Sequence, residues 1–451
     1  MSSKLSVFLL AAVLSLIGFS GASRAQTCPA NIAHVTGVWD VLPYRMPVNP
    51  ISANLLPNGK VLIVSGSENT APNNTPGAQS YRGAVLDLNA TAGNNIVAQN
   101  VNYDIFCSAT AQLPDGRSLV VGGTSDYTFT GEARSSFFDW LSGQFVQSQT
   151  MAEGRWYASA IALADGRIMA MSGLTTTGAT SKTVEIYDLN NAGAGWRAPT
   201  TVPFTPPLYP RIVLVPGGKV FYTGQGSGGS SANSWFFDPS TGTWTASAAV
   251  TLSRSYGAAT MLPLLPPGYT PRVMNFGGNS PATKTTELID LSAASPAWTA
   301  GPNMSTGRIE MHSILLPNGK VLASGGSVSN NVPDTAGRTA DMYDPVSNTF
   351  SSAGTAAFAR LYHSTALLLP DARVLSMGSN PGARGQFEPV MEIYSPPYLF
   401  DANDHPVTNR PAITALSSTS MGYNSSFTVS FSSASPIASA VLMRLGASTH
   451  S

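Results

Sequence analysis

A polar turn flanked by two apolar runs recurs along the chain. It reads LLPNGKVLIVSG at 55–66, QLPDGRSLVVGG at 112–123, ALADGRIMAMSG at 162–173, LVPGGKVFYTG at 214–224, LLPPGYTPRVMNFGG at 264–278, LLPNGKVLASGG at 315–326 and LLPDARVLSMG at 368–378. The Asn-Gly and Asp-Gly pairs suit a hairpin turn that needs positive φ, and the apolar run ending in glycine suits a strand near a crowded axis. About 25 residues after each turn comes a second signature: VLDLN, SFFDWLSGQF, VEIYDLNNAGAGW, SWFFDPSTGTW, ELIDLSAASPAW, DMYDPVSNTF and MEIYSPPYLF. Each reads as a strand, most of them followed by a turn and an outer strand carrying an aromatic residue. A period of roughly 50 residues with four short strands per unit predicts an all-β fold, a seven-bladed kelch-type β-propeller over residues 26–400. The last unit lacks its outer strand, and GVWDVLPY around Trp39 is an orphan one, so the N-terminal strand is expected to complete blade seven. Residues 401–451 change character and read as the start of an incomplete immunoglobulin-like β-sandwich, truncated in mid-domain.

Composition narrows the functional classes. The 451 residues carry 24 basic and 24 acidic side chains, so there is no basic field for nucleic acid and no polybasic stretch for anionic lipid. Lys4, an apolar run from Leu5 to Phe19 and the small-residue site Ser23-Arg24-Ala25 predict a secretory signal over residues 1–25. No other segment approaches membrane-spanning length, so a secreted or periplasmic protein is expected, in a compartment where thiols oxidise. The two cysteines, Cys28 and Cys107, would form a disulfide there by default.

A propeller brings the starts of its innermost strands to one end of the axis. Those starts are IFCSAT at Cys107, RWYASA at Tyr157, LYPRIV at Tyr209, SYGAAT at Tyr256, EMHSIL at His312 and LYHSTA at Tyr362 and His363. Consecutive strand residues face opposite ways, so Tyr362 and His363 share a ligand only where the backbone is irregular. Axial aromatics also serve as packing, which is the plain reading of Tyr209 and Tyr256. His34 and His405 lie in polar stretches and read as solvated.

FCS at 106–108, GRWY at 154–157, LYHS at 361–364, MEIYSPPYLF at 391–400 and MRLGASTHS at 443–451 fall in the order and spacing of a known family. The chain resembles the secreted copper radical oxidases, galactose oxidase and glyoxal oxidase, and leans towards the glyoxal oxidase branch. The resemblance implies one copper per chain, with Tyr157, His363 and His450 as equatorial ligands and Tyr362 as the axial tyrosine. It implies a protein-derived cofactor, a thioether joining Cys107 to the Tyr157 ring. His312 and Trp156 would stand just behind these ligands. One copper carries one electron and the oxidation of an alcohol or aldehyde hydrate removes two; a tyrosyl radical would supply the second.

The substrates implied are small aldehydes, as hydrates, or primary alcohols, with dioxygen reduced to hydrogen peroxide by a monomer. Galactose oxidase stacks a tryptophan on its cross-linked tyrosine from the following loop; the corresponding SGLTTTGATSK at 172–182 has none, which disfavours galactose. The alternative is a secreted, non-catalytic kelch propeller that binds carbohydrate or a protein partner. It accounts for the repeats but not for the conjunction of Cys107, Tyr157, Tyr362, His363 and His450.

Overall fold

The computed structural model describes residues 32–67, 83–91, 93–125, 129–189, 195–231, 233–334, 337–380, 387–422 and 425–449. The expected signal segment, Cys28 and His450 lie outside these residues.

Seven antiparallel sheets of four or more strands follow one another along the chain. Their innermost strands are Ser52–Leu55, Ala109–Gln112, Ser159–Ala162, Ile212–Leu214, Ala258–Met261, Ile309–Leu315 and Ser364–Leu368. Each touches the next, and the last touches the first, which closes a seven-bladed ring. The second strands are buried almost throughout, Val61–Val64 and Ile168–Met171 at every position. Buried on both faces, they read as continuous apolar runs instead of alternating patterns.

The cores lie between blades. Leu62 and Val64 of blade one pack against Ile105 and Val120 of blade two, and so on around the ring to Leu375 and Ile393 of blade seven against Ala53 and Ile63 of blade one. No single blade encloses a core, so each is stable only between its neighbours. Closure follows the expectation for Trp39: strand Val38–Arg45 pairs with Val390–Ser395 as the outer strand of blade seven, with Trp39 opposite Tyr394. Its indole donates to the Ala353 carbonyl of blade six at 2.9 Å, locking the seam.

Beyond the propeller, Ala412–Leu416 and Val429–Ser432 form a two-stranded sheet exposed at every position. No sandwich is built among the described residues. The chain then returns, and Ala447–Thr449 runs antiparallel to the innermost strand of blade one, Thr449 opposite Ser52. His34 is not simply solvated, because its Nδ1 lies 2.7 Å from the Asp404 carboxylate. His405 is exposed, 3.6 Å from Asp401.

Candidate functional site

The residues entering the innermost strands have an unusual backbone. Cys107, Tyr157, Tyr209, Tyr256, Glu310 and His363 all adopt left-handed conformations, φ between 42° and 64°. A non-glycine residue there costs on the order of 1 kcal/mol, and such strain concentrates at functional sites. The twist turns each side chain inwards while its backbone ties neighbouring blades together. Tyr157 N–H donates to the Cys107 carbonyl at 3.0 Å, Tyr209 N–H to Tyr157 at 2.8 Å and Glu310 N–H to Tyr256 at 2.9 Å.

Buried arginines hold these entrances in place. Arg155 pairs with Glu185 at 2.9 Å, Arg254 with Glu287 at 3.4 Å, Arg308 with Asp341 at 3.0 Å and Arg360 with Glu392 at 2.8 Å. Each guanidinium also donates to a carbonyl at the end of its blade's second strand, from Ser172, Gly277, Gly325 and Gly378 respectively. In blades three, five and six the left-handed residue stands two positions after the arginine; in blade seven it stands three after, at His363. That extra residue is the irregularity the adjacent Tyr362 and His363 require.

The result is one cluster at the axis containing Phe106, Cys107, Trp156, Tyr157 and Tyr209, with Tyr362 packed against it. Cys107 Sγ lies 3.8 Å from His363 Nε2. The Tyr362 ring stacks on His363 at 3.9 Å and meets Tyr256 edge-on at 6.1 Å. Tyr157 has Tyr209 on one side at 4.8 Å and Trp156 at 4.1 Å. Trp156 itself rests on Phe129 at 4.8 Å and pairs its backbone with Leu174. The loop at 172–182 thus supplies no indole to Tyr157, but the preceding residue does.

His363 Nδ1 lies 3.0 Å from Asn380 Oδ1, which also accepts from Asn49 Nδ2 at 2.8 Å. A carbonyl oxygen only accepts, so Nδ1 carries the hydrogen and Nε2 offers its lone pair on the Cys107 side. Asn380 N–H donates to the Tyr362 carbonyl at 2.8 Å, so one residue holds both members of the pair. A histidine fixed through its second nitrogen is the usual form of a metal ligand.

His312 sits differently from its expected place. Glu310, not His312, occupies the blade-six position equivalent to His363, and His312 Nε2 lies 2.9 Å from Ser364 Oγ. Burial first, then Arg211 and Arg360, pull its pKa down to about 3, so it is neutral. Glu310 is 1% exposed, and burial pushes its carboxyl up to about 8 against the pull of backbone hydrogen bonds from Tyr362 and Asn331. The Tyr256 phenol is raised, by burial first and then by the nearby Glu310.

Among the described residues no three His, Cys, Asp or Glu side chains cluster as a metal site. The donors gathered here are chiefly phenols with one fixed imidazole, and phenolate oxygen with imidazole nitrogen suits tetragonal Cu(II). His450 is outside the described residues, but Thr449 stands beside Ser52, at the start of the innermost strand and hence at this end of the axis. A cavity of about 550 Å³ lies elsewhere along the axis, lined by Leu55, Arg211, His312 and Ala447; none of Cys107, Tyr157, Tyr362 or His363 lines it. No described helix is long and apolar enough to cross a membrane.

Comparison with known proteins places this geometry. Residues 84–398 match the family described as glyoxal oxidase N-terminus. A galactose oxidase of Gibberella zeae is 25% identical over 438 residues, covering 90% of this chain; the chain spans 61% of that protein's length. An aldehyde oxidase of Vitis pseudoreticulata is 28% identical over 365 residues, covering 72% of this chain and 66% of that protein. A fungal alcohol oxidase of the AA5 family, solved in complex with copper, has the same fold, with a TM-score of 0.69 at 23% identity over 85% of this chain and 81% of that one. With the matched region running from blade one to the end of blade seven, well over half of the chain, the protein belongs to the glyoxal oxidase and galactose oxidase family.

Proposed function

We propose that the complete protein is an exported copper radical oxidase that converts hydrated small aldehydes, or primary alcohols, with reduction of dioxygen to hydrogen peroxide. The observation that carries this reading is the meeting of Cys107, Tyr157, Tyr362 and a tautomer-fixed His363 at one end of the axis. Tyr157, Tyr362, His363 and His450 are the residues that would hold the ion. Copper bound there supplies a one-electron redox centre and polarises a substrate hydroxyl.

The chain's own groups do the rest. The Tyr362 phenolate oxygen accepts the proton of the substrate hydroxyl. Tyr157, oxidised to its radical and joined to Cys107 through sulfur, takes a hydrogen atom from the substrate carbon. Trp156, Tyr209 and Phe106 pack around these rings and keep water away from the radical. For a hydrated aldehyde the balance is RCH(OH)2 + O2 giving RCOOH + H2O2. The absence of a tryptophan in the 172–182 loop, together with GRWY, supports hydrated aldehydes over galactose.

A peroxide-release screen of the copper-loaded complete protein across small aldehydes, primary alcohols and galactose tests the proposal. Fastest turnover of an aldehyde is expected. Galactose turning over fastest would sink the substrate assignment, and no peroxide from any class would favour the non-catalytic binder.

A further inference from the structure

The entrance to blade two departs from the pattern of its neighbours. Two positions before the left-handed residue, blades three, five and six carry a buried arginine; the same position before Cys107 is Ile105, whose apolar side chain makes no hydrogen bond. Asp104, one residue earlier and 6% exposed, does the fastening there with a carboxylate. Its Oδ1 accepts the N–H of Ser67 at 2.9 Å and the N–H of Phe106 at 3.1 Å, and its Oδ2 accepts the Ser67 hydroxyl. One carboxylate oxygen has room for two donors, and a buried carboxylate is tolerated only where donors surround it.

These bonds fasten the turn before Cys107 to blade one. Ser67 follows Gly66, where a Cβ would strike the Phe106 backbone, so the two chains run in direct contact. Ser108 N–H donates to the Ile105 carbonyl at 3.1 Å and closes the turn around Cys107, whose φ is 54°. On the far side the Cys107 carbonyl accepts Tyr157 N–H from blade three. We propose that Asp104 is a positioning residue for Cys107, clamping its turn to blade one so that the sulfur is held ready for the Tyr157 ring. The inference rests on the reading of that pair as the cofactor. In the step it prepares, the Cys107 S–H bond and one ring C–H bond break and a C–S bond forms, while two protons and two electrons pass to dioxygen as hydrogen peroxide.

The test follows cross-link formation by peptide mass after copper loading of the complete protein in air. Asp104→Asn keeps the acceptor oxygen and the shape, and should cross-link within about threefold of the parent rate. Asp104→Ala loses all three contacts and should be at least about tenfold slower. Met274→Ala, in the core between blades five and six, destabilises the fold without touching this turn and should leave the rate unchanged. Once fully cross-linked, Asp104→Ala should turn over within about threefold of the parent, because the covalent bond then fixes the sulfur. Where alanine does not fold, Asp104→Ser takes its place: it keeps an acceptor for Phe106 N–H, falls short of Ser67 and should be slowed at least about threefold. A folded Asp104→Ala or Asp104→Ser that cross-links at the parent rate, an equal slowing in Met274→Ala, or turnover that stays low after complete cross-linking would overturn the positioning role while leaving the oxidase reading intact. If the parent itself formed no cross-link, the cofactor reading would fail and the role of Asp104 with it.

Discussion

Replacing Asn380 should weaken copper binding without touching any proposed ligand. Its Oδ1 lies 3.0 Å from His363 Nδ1 and is itself held by Asn49 at 2.8 Å. Both asparagines are buried, Asn49 at 1% and Asn380 at 8% exposure, so water does not readily replace the lost acceptor. In Asn380→Ala the ring keeps its place between Tyr362 and Phe106 but loses the contact that selects its tautomer. The donor lone pair is then shared between two nitrogens, and only Nε2 is directed towards Cys107. Loss of such a contact typically lowers metal affinity about 10- to 100-fold, or about 1.4–2.7 kcal/mol. Asn380→Asp keeps the acceptor and makes the imidazole a stronger donor, so its affinity should equal or exceed that of the parent. Competition titration against a copper chelator reads the affinity, and thermal unfolding of the copper-free proteins checks the fold. Equal copper affinity for Asn380→Ala and the parent, both folded, would refute the claim that His363 binds through an Nε2 set by this contact.

Three other predictions probe the scaffold. Ala372 sits at φ 71° in the blade-seven turn where blades one, two, three and six carry glycine, so Ala372→Gly should raise stability by about 1 kcal/mol in urea unfolding; no gain would mean the turn is unstrained. His312 has its folded pKa depressed from 6.5 to about 3, so the unfolded chain binds a proton that the folded one refuses below pH 6.5. Its contribution to stability is complete above pH 6.5 and falls by about 2 kcal/mol on going down to pH 5; His312→Gln should remove that part of the acid sensitivity, and an unchanged pH profile would contradict it. Arg360→Met leaves Glu392 buried and unpaired and should cost about 3–5 kcal/mol, whereas adding Glu392→Leu should recover most of the loss. A double variant as unstable as the single one would show that the guanidinium matters for its carbonyl contacts more than for its charge.

The fold was legible because a propeller repeats its signals. Each turn and each doubly buried second strand left the same short pattern, and Trp39 could be assigned to blade seven because that unit visibly lacked its outer strand. Cys107, Tyr157, Tyr362 and His363, which the fold gathers at one end of the axis, stood out in the sequence because their residue types are chemically distinctive. Residues that act through geometry left weaker signals. Asn380 and Asn49 are far apart in sequence and meet only when blade seven closes against blade one. The arginines before Tyr157, Tyr256, Glu310 and His363 recur in GRWY, SRSY, GRIE and ARLYH, and aligning the blade entrances on them would have exposed both the quartet and the extra residue of blade seven. Aligned that way, Glu310 instead of His312 falls into the ring, a distinction the neighbouring HS pairs had concealed. The expected sandwich turned on residues beyond the propeller, where a two-stranded sheet and a strand inserted beside blade one are what the described residues form.

The central claim is that Cys107 and Tyr157 form a redox cofactor, and peptide mass mapping tests it most directly. Their entrances belong to adjacent blades joined by the Tyr157 N–H to Cys107 carbonyl bond at 3.0 Å, within one buried cluster. After copper loading in air, the peptides carrying Cys107 and Tyr157 should be recovered as one species, about two hydrogens lighter than their sum and resistant to reductant. Recovery of Cys107 as an unmodified thiol, or its release by reductant together with Cys28, would contradict the account.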